Sequence, residues 1–282
     1  MRTLPALLLL SLAAAGCGGN GSGEASPGSG GLIAAGATDA QARLAASPRH
    51  GEWAMIPAPG GDSVRAWVVY PESSRRAPVV LVVHEIFGVT HWIRGVADQL
   101  AADGVIAIAP DLLTGKGVPM GPAGEPLGDS AVAAVRRLDA GEVQRRLDAV
   151  AAYGMALPAA LPRYGIVGFC WGGSASFAHA AHAPGLGASV VYYGTAPAPE
   201  ALRTVRAPVL GLYGGDDARV NATLPATDSA LKALGKTFEQ HVYPGAGHGF
   251  LRQQDGREGA NLAAAQDAWP RTVAWFRTHL GR

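Results

Sequence analysis

From residue 79 onward, apolar positions follow two periods that alternate along the chain. Val79–Val83 is an unbroken, largely β-branched run, the pattern of a strand covered on both faces. Val105–Ala109, Tyr164–Phe169, Ala188–Tyr193, Pro208–Tyr213 and Thr237–Tyr243 read the same way. Between them, helical spacing predicts helices over Trp92–Ala102, Ser130–Tyr153, Gly173–His182, Ala226–Leu234 and Asn261–His279. Strands alternating with helices predict an α/β fold, a mostly parallel, doubly wound sheet with helices on both faces. Upstream, Gly51–Pro57 and Ser63–Pro71 read as strands joined by Gly60-Gly61-Asp62, an antiparallel N-terminal hairpin. No repeat or inter-domain linker interrupts the pattern, so one domain over 49–282 is expected.

The first residues follow a different logic. Met1-Arg2 is a short positive start, and Leu4–Ala15 is an apolar stretch too short for a membrane span, which needs about 20 residues. It ends at Ala14-Ala15-Gly16-Cys17, which resembles a bacterial lipobox cut before a lipidated cysteine, with Ala14 where Leu is usual. Residues 1–17 are therefore expected to be a lipoprotein-type signal peptide. Residues 18–48, which open on a Gly/Ser-rich stretch, are expected to form a flexible tether, with a short helix possible over Thr38–Ser47. The protein is expected to be exported and held in the cell envelope through lipid on Cys17. Secretion or soluble periplasmic release is the alternative.

Charge narrows the partners. A net charge of +1 with 16% charged residues carries no nucleic-acid footprint. The chain has two cysteines, so if Cys17 is lipidated then Cys170 has no intramolecular disulfide partner in an oxidising compartment. Its retention there points to chemistry.

In a doubly wound sheet, chemistry collects at the carboxyl ends of the strands. Each such end carries a candidate: His84-Glu85-Ile86-Phe87-Gly88, then Cys170, then Gly214-Gly215-Asp216-Asp217, then Gly247-His248-Gly249-Phe250. The first of these to consider is Gly168-Phe169-Cys170-Trp171-Gly172-Gly173, a strand running through Gly-x-Cys-x-Gly-Gly into an alanine-rich helix. That is the layout of a nucleophile elbow, with cysteine in the usual place of serine. The helix start next to the sulfur is expected to favour thiolate. The order nucleophile, acid, histidine is that of α/β-hydrolases.

His84-Glu85-Ile86-Phe87-Gly88, Pro110-Asp111-Leu112, Gly168–Gly173 and Gly247–Phe250 together resemble the dienelactone hydrolase family (carboxymethylenebutenolidases), in order from about Trp53 to the C-terminus. The resemblance implies an α/β-hydrolase fold and a Cys-His-Asp triad acting on lactones or activated esters. Cys170 is then the nucleophile, His248 the base and Asp217 the orienting carboxylate; the Gly214-x-x-Asp217-x-x-Val220 spacing favours Asp217 over Asp216, a turn residue. It gives Glu85 a role near the thiol, and Arg252 the binding of a substrate carboxylate. A second family arginine would follow Pro110-Asp111-Leu112-Leu113, where this chain has Thr114-Gly115-Lys116; Lys116 is the candidate substitute. The oxyanion hole is expected from the backbone N–H groups of Ile86 and Trp171.

No metal or organic cofactor is implied. His179 and His182, spaced i, i+3, lack an acidic or cysteine partner in sequence, and His84 is expected to pack or hydrogen-bond at its strand end. The expected ligand is a small ester or lactone and the expected state a monomer. Rival readings are a broad carboxylesterase or thioesterase, and a non-enzymatic tethered binding domain.

Overall fold

A computed structural model describes Met1 and residues 32–281. Cys17, with the rest of the expected signal peptide and residues 18–31 of the expected tether, lies outside the described residues. Among the described residues no helix is long and apolar enough to cross a membrane.

Eight strands form one sheet: β1 (Gly51–Ala58), β2 (Asp62–Val69), β3 (Ala77–Val83), β4 (Ile106–Asp111), β5 (Ala160–Phe169), β6 (Ala188–Tyr192), β7 (Val209–Gly214) and β8 (Phe238–Tyr243). Their spatial order is β1-β2-β4-β3-β5-β6-β7-β8. The β1–β2 hairpin is antiparallel, as its turn residues predict, and β2 meets β4 antiparallel with Arg65 opposite Asp111. All other pairings are parallel.

The helices are α1 (Ala37–Ala45), α2 (His91–Ala102), α3 (Gly128–Val135), α4 (Ala140–Ala156), α5 (Trp171–His182), α6 (Ala218–Asn221), α7 (Leu224–Ala233) and α8 (Ala260–Leu280). The sheet separates two cores, because successive side chains of a strand face opposite sides. Val80 and Val82 of β3 pack with Ile93 and Val96 of α2 and Trp269 and Phe276 of α8. Val79, Leu81 and Val83 pack on the other face with Leu147 and Val150 of α4 and Phe177 of α5.

Two expectations are corrected here. The single helix predicted over Ser130–Tyr153 is two, α3 and α4. Asp139 starts the second, its side chain accepting from Glu142 N–H at 2.8 Å, as an N-cap does. Residues 33–45, expected as the last part of a flexible tether, instead pack on the domain. Ala34, Ala35 and Ala40 are buried in the core of the α2 face, and α1 lies against α2. Trp92 Nε1–H donates to Ala35 O at 3.0 Å, and Arg43 joins Ile33 O (2.9 Å) to Gln99 Oε1 (2.8 Å). Small alanine side chains allow this close approach, and from sequence alone they resemble linker.

Candidate active site

The carboxyl ends of β3, β5, β6, β7 and β8 converge, and the site is built from the turns that leave them. Cys170 ends β5 and immediately precedes α5, with φ 56° and ψ −116°. A non-glycine residue at positive φ costs about 1–3 kcal/mol and persists only where its surroundings enforce it. Here they do. Cys170 N–H donates to Tyr192 O (3.1 Å), tying the elbow to the end of β6. A Cβ on Gly168 would lie 1.9 Å from Gly172 O, and one on Gly172 would lie 2.3 Å from His84 O. The glycines are therefore required by the tightness of the elbow.

The sulfur is a free thiol, half-buried. Burial and the neighbouring Glu85 carboxylate push it up to about 11, against the lowering effects of Trp171 N–H and Arg219. The expected thiolate is thus corrected: desolvation and a like charge outweigh the helix start, and the resting form at neutral pH is the thiol.

His248 follows β8 and faces Asp217, which follows β7. His248 Nδ1 lies 2.5 Å from Asp217 Oδ2, and the carboxylate is 7% exposed. With an ionised carboxylate as acceptor, Nδ1 carries the proton and Nε2 is left for chemistry. Asp216 points elsewhere, pairing with the exposed Arg257 at 2.8 Å. No hydrogen bond joins Cys170 to His248. The imidazole packs instead on Tyr193, with ring centroids 5.1 Å apart.

Glu85 leaves β3, is 4% exposed, and meets Arg252 Nε at 2.9 Å. Burial raises its pKa to about 7, and Arg252 pulls the other way. The Arg252 guanidinium also lies over the Phe87 ring at 5.0 Å. His84 is buried and donates from Nδ1 to Glu85 O (2.6 Å); its ring stacks on Trp171, 5.6 Å between centroids. The side chains of Ile86 and Trp171 both pack against the small cluster formed by Leu113, Ala131, Ala134 and Val135. Neither of their N–H groups is taken by a backbone carbonyl among the described residues.

Lys116 is not brought to this cluster. Its Nζ donates to Glu142 of α4 at 2.8 Å, so the charge expected to replace the second arginine is engaged elsewhere. His179 bonds Tyr164 Oη (3.0 Å) and Gln144 (2.7 Å), and His182 bonds Asp148 (2.8 Å), all on the α4–α5 side.

One residue escaped the sequence reading. Tyr193 is fully buried just after β6 with φ 42°, and its hydroxyl has no hydrogen-bond partner among the described residues. Burial first, then Glu85 and Cys170, hold its pKa far above the usual phenol range, which places the ring among them. Its position at a strand's carboxyl end was the available signal.

The sequence model of the dienelactone hydrolase family matches residues 64–280. A candidate carboxymethylenebutenolidase of Salmonella typhimurium is 37% identical over 234 residues, covering 79% of this chain and 85% of the relative. A candidate dienelactone hydrolase of Klebsiella pneumoniae superposes with TM-score 0.71 at 33% identity, covering 81% of this chain and 98% of that one. The dienelactone hydrolase of Anabaena variabilis superposes with TM-score 0.62 at 26% identity, covering 82% and 98%.

Proposed function

This chain belongs to the dienelactone hydrolase family of the α/β-hydrolase superfamily and is a carboxylic ester hydrolase, and on that premise we propose that Cys170, His248 and Asp217 act as a nucleophilic triad through a cysteinyl acyl-enzyme. The observation that carries this reading is the strained Cys170 backbone, held at the elbow beside the buried Glu85–Arg252 pair.

A thiol near 11 needs a base before it can attack. Glu85 is that base in our reading. While Arg252 holds it, Glu85 is a weak acceptor. A substrate carboxylate arriving at Arg252 competes for the guanidinium, and an uncompensated buried carboxylate takes a proton more readily. The proton passes from Sγ to Glu85, and the sulfur adds to the ester carbonyl. The oxyanion is met by Ile86 and Trp171 N–H, and the C–O bond to the leaving group breaks. The proton taken by Glu85 moves on to His248 Nε2; the imidazolium, stabilised by Asp217, gives it to the leaving alkoxide, and neutral His248 then takes a proton from the water that attacks the thioester. Water's hydroxyl ends on the acid and the proton returns to sulfur.

With Lys116 engaged by Glu142, recognition of a substrate carboxylate rests on Arg252. The same observation favours a second reading, a broader esterase that also accepts neutral esters. Turnover of p-nitrophenyl acetate should fall at least ~10³-fold in Cys170→Ala, with an acetyl adduct on Cys170 visible by mass spectrometry in the wild type. Full activity in Cys170→Ala discards the nucleophile. Arg252→Ala should reduce turnover of a carboxylated lactone more than that of a neutral ester; equal reductions favour the broader esterase. We also propose export and lipidation at Cys17, for which palmitate incorporation that persists in Cys17→Ala is the refuting result.

A further inference from the structure

His84 is fully buried, and no step of the chemistry above uses it. β3 is paired with its neighbours only as far as Val83, which lies opposite Gly168 of β5. Beyond that point no ladder fixes the peptide between Glu85 and Ile86. The His84 side chain holds it instead. Nδ1–H donates to Glu85 O at 2.6 Å, and no backbone N–H reaches that carbonyl among the described residues. A carbonyl can only accept, so the ring proton lies on Nδ1. Nε2 has no partner among the described residues, and burial pushes the ring's pKa down, so the imidazole is neutral.

Glu85 O shares a rigid plane with Ile86 N–H, because the peptide bond between them does not rotate freely. Holding the oxygen therefore aims the N–H on the other side of the plane. A hydrogen bond accepted by the oxygen also polarises the amide and strengthens its N–H as a donor. The same histidine meets the other turn. Its ring stacks on Trp171 with 5.6 Å between centroids and 22° between planes. A Cβ on Gly172 would lie 2.3 Å from His84 O and 2.5 Å from Val83 O, so the start of α5 rests directly on this stretch of backbone. His84 is thus in contact with both turns that carry the expected oxyanion donors.

We propose that His84 is a positioning residue for the oxyanion hole, fixing the aim of Ile86 N–H and its placement relative to Trp171 N–H. The proposal rests on the oxyanion reading above and adds the side chain that sets its geometry. His84 exchanges no proton in the reaction and acts only through the 85–86 peptide and the Trp171 turn.

The test asks how strongly turnover depends on oxygen at the atom that becomes the anion. p-Nitrophenyl acetate is compared with its thiono analogue, in which C=S replaces C=O, in full-length protein. Sulfur is larger and a weaker hydrogen-bond acceptor, so an oxyanion hole favours the oxygen ester. The readout is the ratio of the two kcat/KM values, divided by the same ratio for hydroxide ion in water. In the wild type it should be about 10². His84→Phe keeps a stacked ring but has no donor; it should lower the ratio about tenfold, with kcat for the acetate falling and KM within about twofold. His84→Asn, whose amide nitrogen takes the place of Nδ1, should restore both to within about threefold. Displacement of Glu85 as the base would slow both esters alike and leave the ratio unmoved. A high wild-type ratio that is unchanged in His84→Phe overturns the positioning role. A wild-type ratio no different from that of hydroxide overturns the oxyanion hole beneath it. Nitrogen NMR of the wild-type histidines needs no variant and decides if His84→Phe does not fold. A proton on Nδ1 of His84 is expected; one on Nε2 instead leaves Glu85 O without its donor and overturns the proposal.

Discussion

Two charge clusters lie at the same end of the sheet and do opposite things. At the β2–β4 edge, Arg146 of α4 is 4% exposed and fully used: it forks onto Asp62 at 2.7 and 2.9 Å and donates to Leu112 O and Thr114 O. Glu142 completes the cluster, taking Arg146 at 3.0 Å and Lys116. Asp62 is held below the usual carboxylate range, mainly by its bonds to Arg146. At the elbow, Glu85 has one cationic contact and is pushed up, not down. Both are carboxylates paired with arginine, but Glu85 is buried with one donor whereas Asp62 is a third exposed and has several. A carboxylate given several donors is a fixed strut, whereas one given a single contested donor in a dry site is ready to exchange it for a proton.

The comparison can be tested from its largest consequence downward. Asp217→Asn keeps the shape at His248 but reverses the tautomer preference, and should cut kcat for p-nitrophenyl acetate by about 10²–10⁴-fold. A loss below tenfold would mean that the site does not depend on a fixed imidazole. Arg146→Met should act on the fold: leaving Asp62 and two carbonyls without their donor should cost about 3–5 kcal/mol in urea unfolding. A loss under 1 kcal/mol would remove the distinction between strut and switch.

Glu85→Gln separates the clusters by pH. Because Glu85 has a folded pKa near 7 against an ordinary 4.5, the native state binds more protons than the unfolded state between those values. Its contribution to stability is therefore lost as pH rises from about 4.5 to 7, by up to about 3 kcal/mol. Glu85→Gln should abolish that slope in denaturation at pH 5 and pH 8, while slowing acylation. Equal slopes in both proteins would refute the raised pKa. The smallest effect is expected from Lys116→Ala: less than about 1 kcal/mol of stability and no change in preference between carboxylated and neutral esters. A marked change there would return Lys116 to the substrate.

The reach of the sequence differs by residue. The placement of Cys170, His248, Asp217 and Glu85 at one end of the sheet was legible because each follows an apolar run on a short turn, and such turns bring strand-end residues together. The choice of Asp217 over Asp216 was legible from spacing, and the structure puts Asp217 against His248 and Asp216 against Arg257. The pairing of Lys116 with Glu142 was not legible, because that partner is 26 residues away on α4, a contact that no local pattern encodes. The thiol's state was misjudged for a related reason. The helix start is visible in sequence, but burial and the distance to Glu85 are not.

Local chemistry in the chain determined the strand–helix alternation, the strained elbow and the order of the reactive residues. Periodicity, glycine sterics and turn length act over a few residues and need no partner. Only the tertiary structure decided which charges are left under-compensated and where the 33–45 segment goes. Those outcomes depend on desolvation and on contacts between residues up to about 220 positions apart, such as Gln254 with Ala34. Alanines that resemble a linker in one dimension become, in three, part of the core packed on α2.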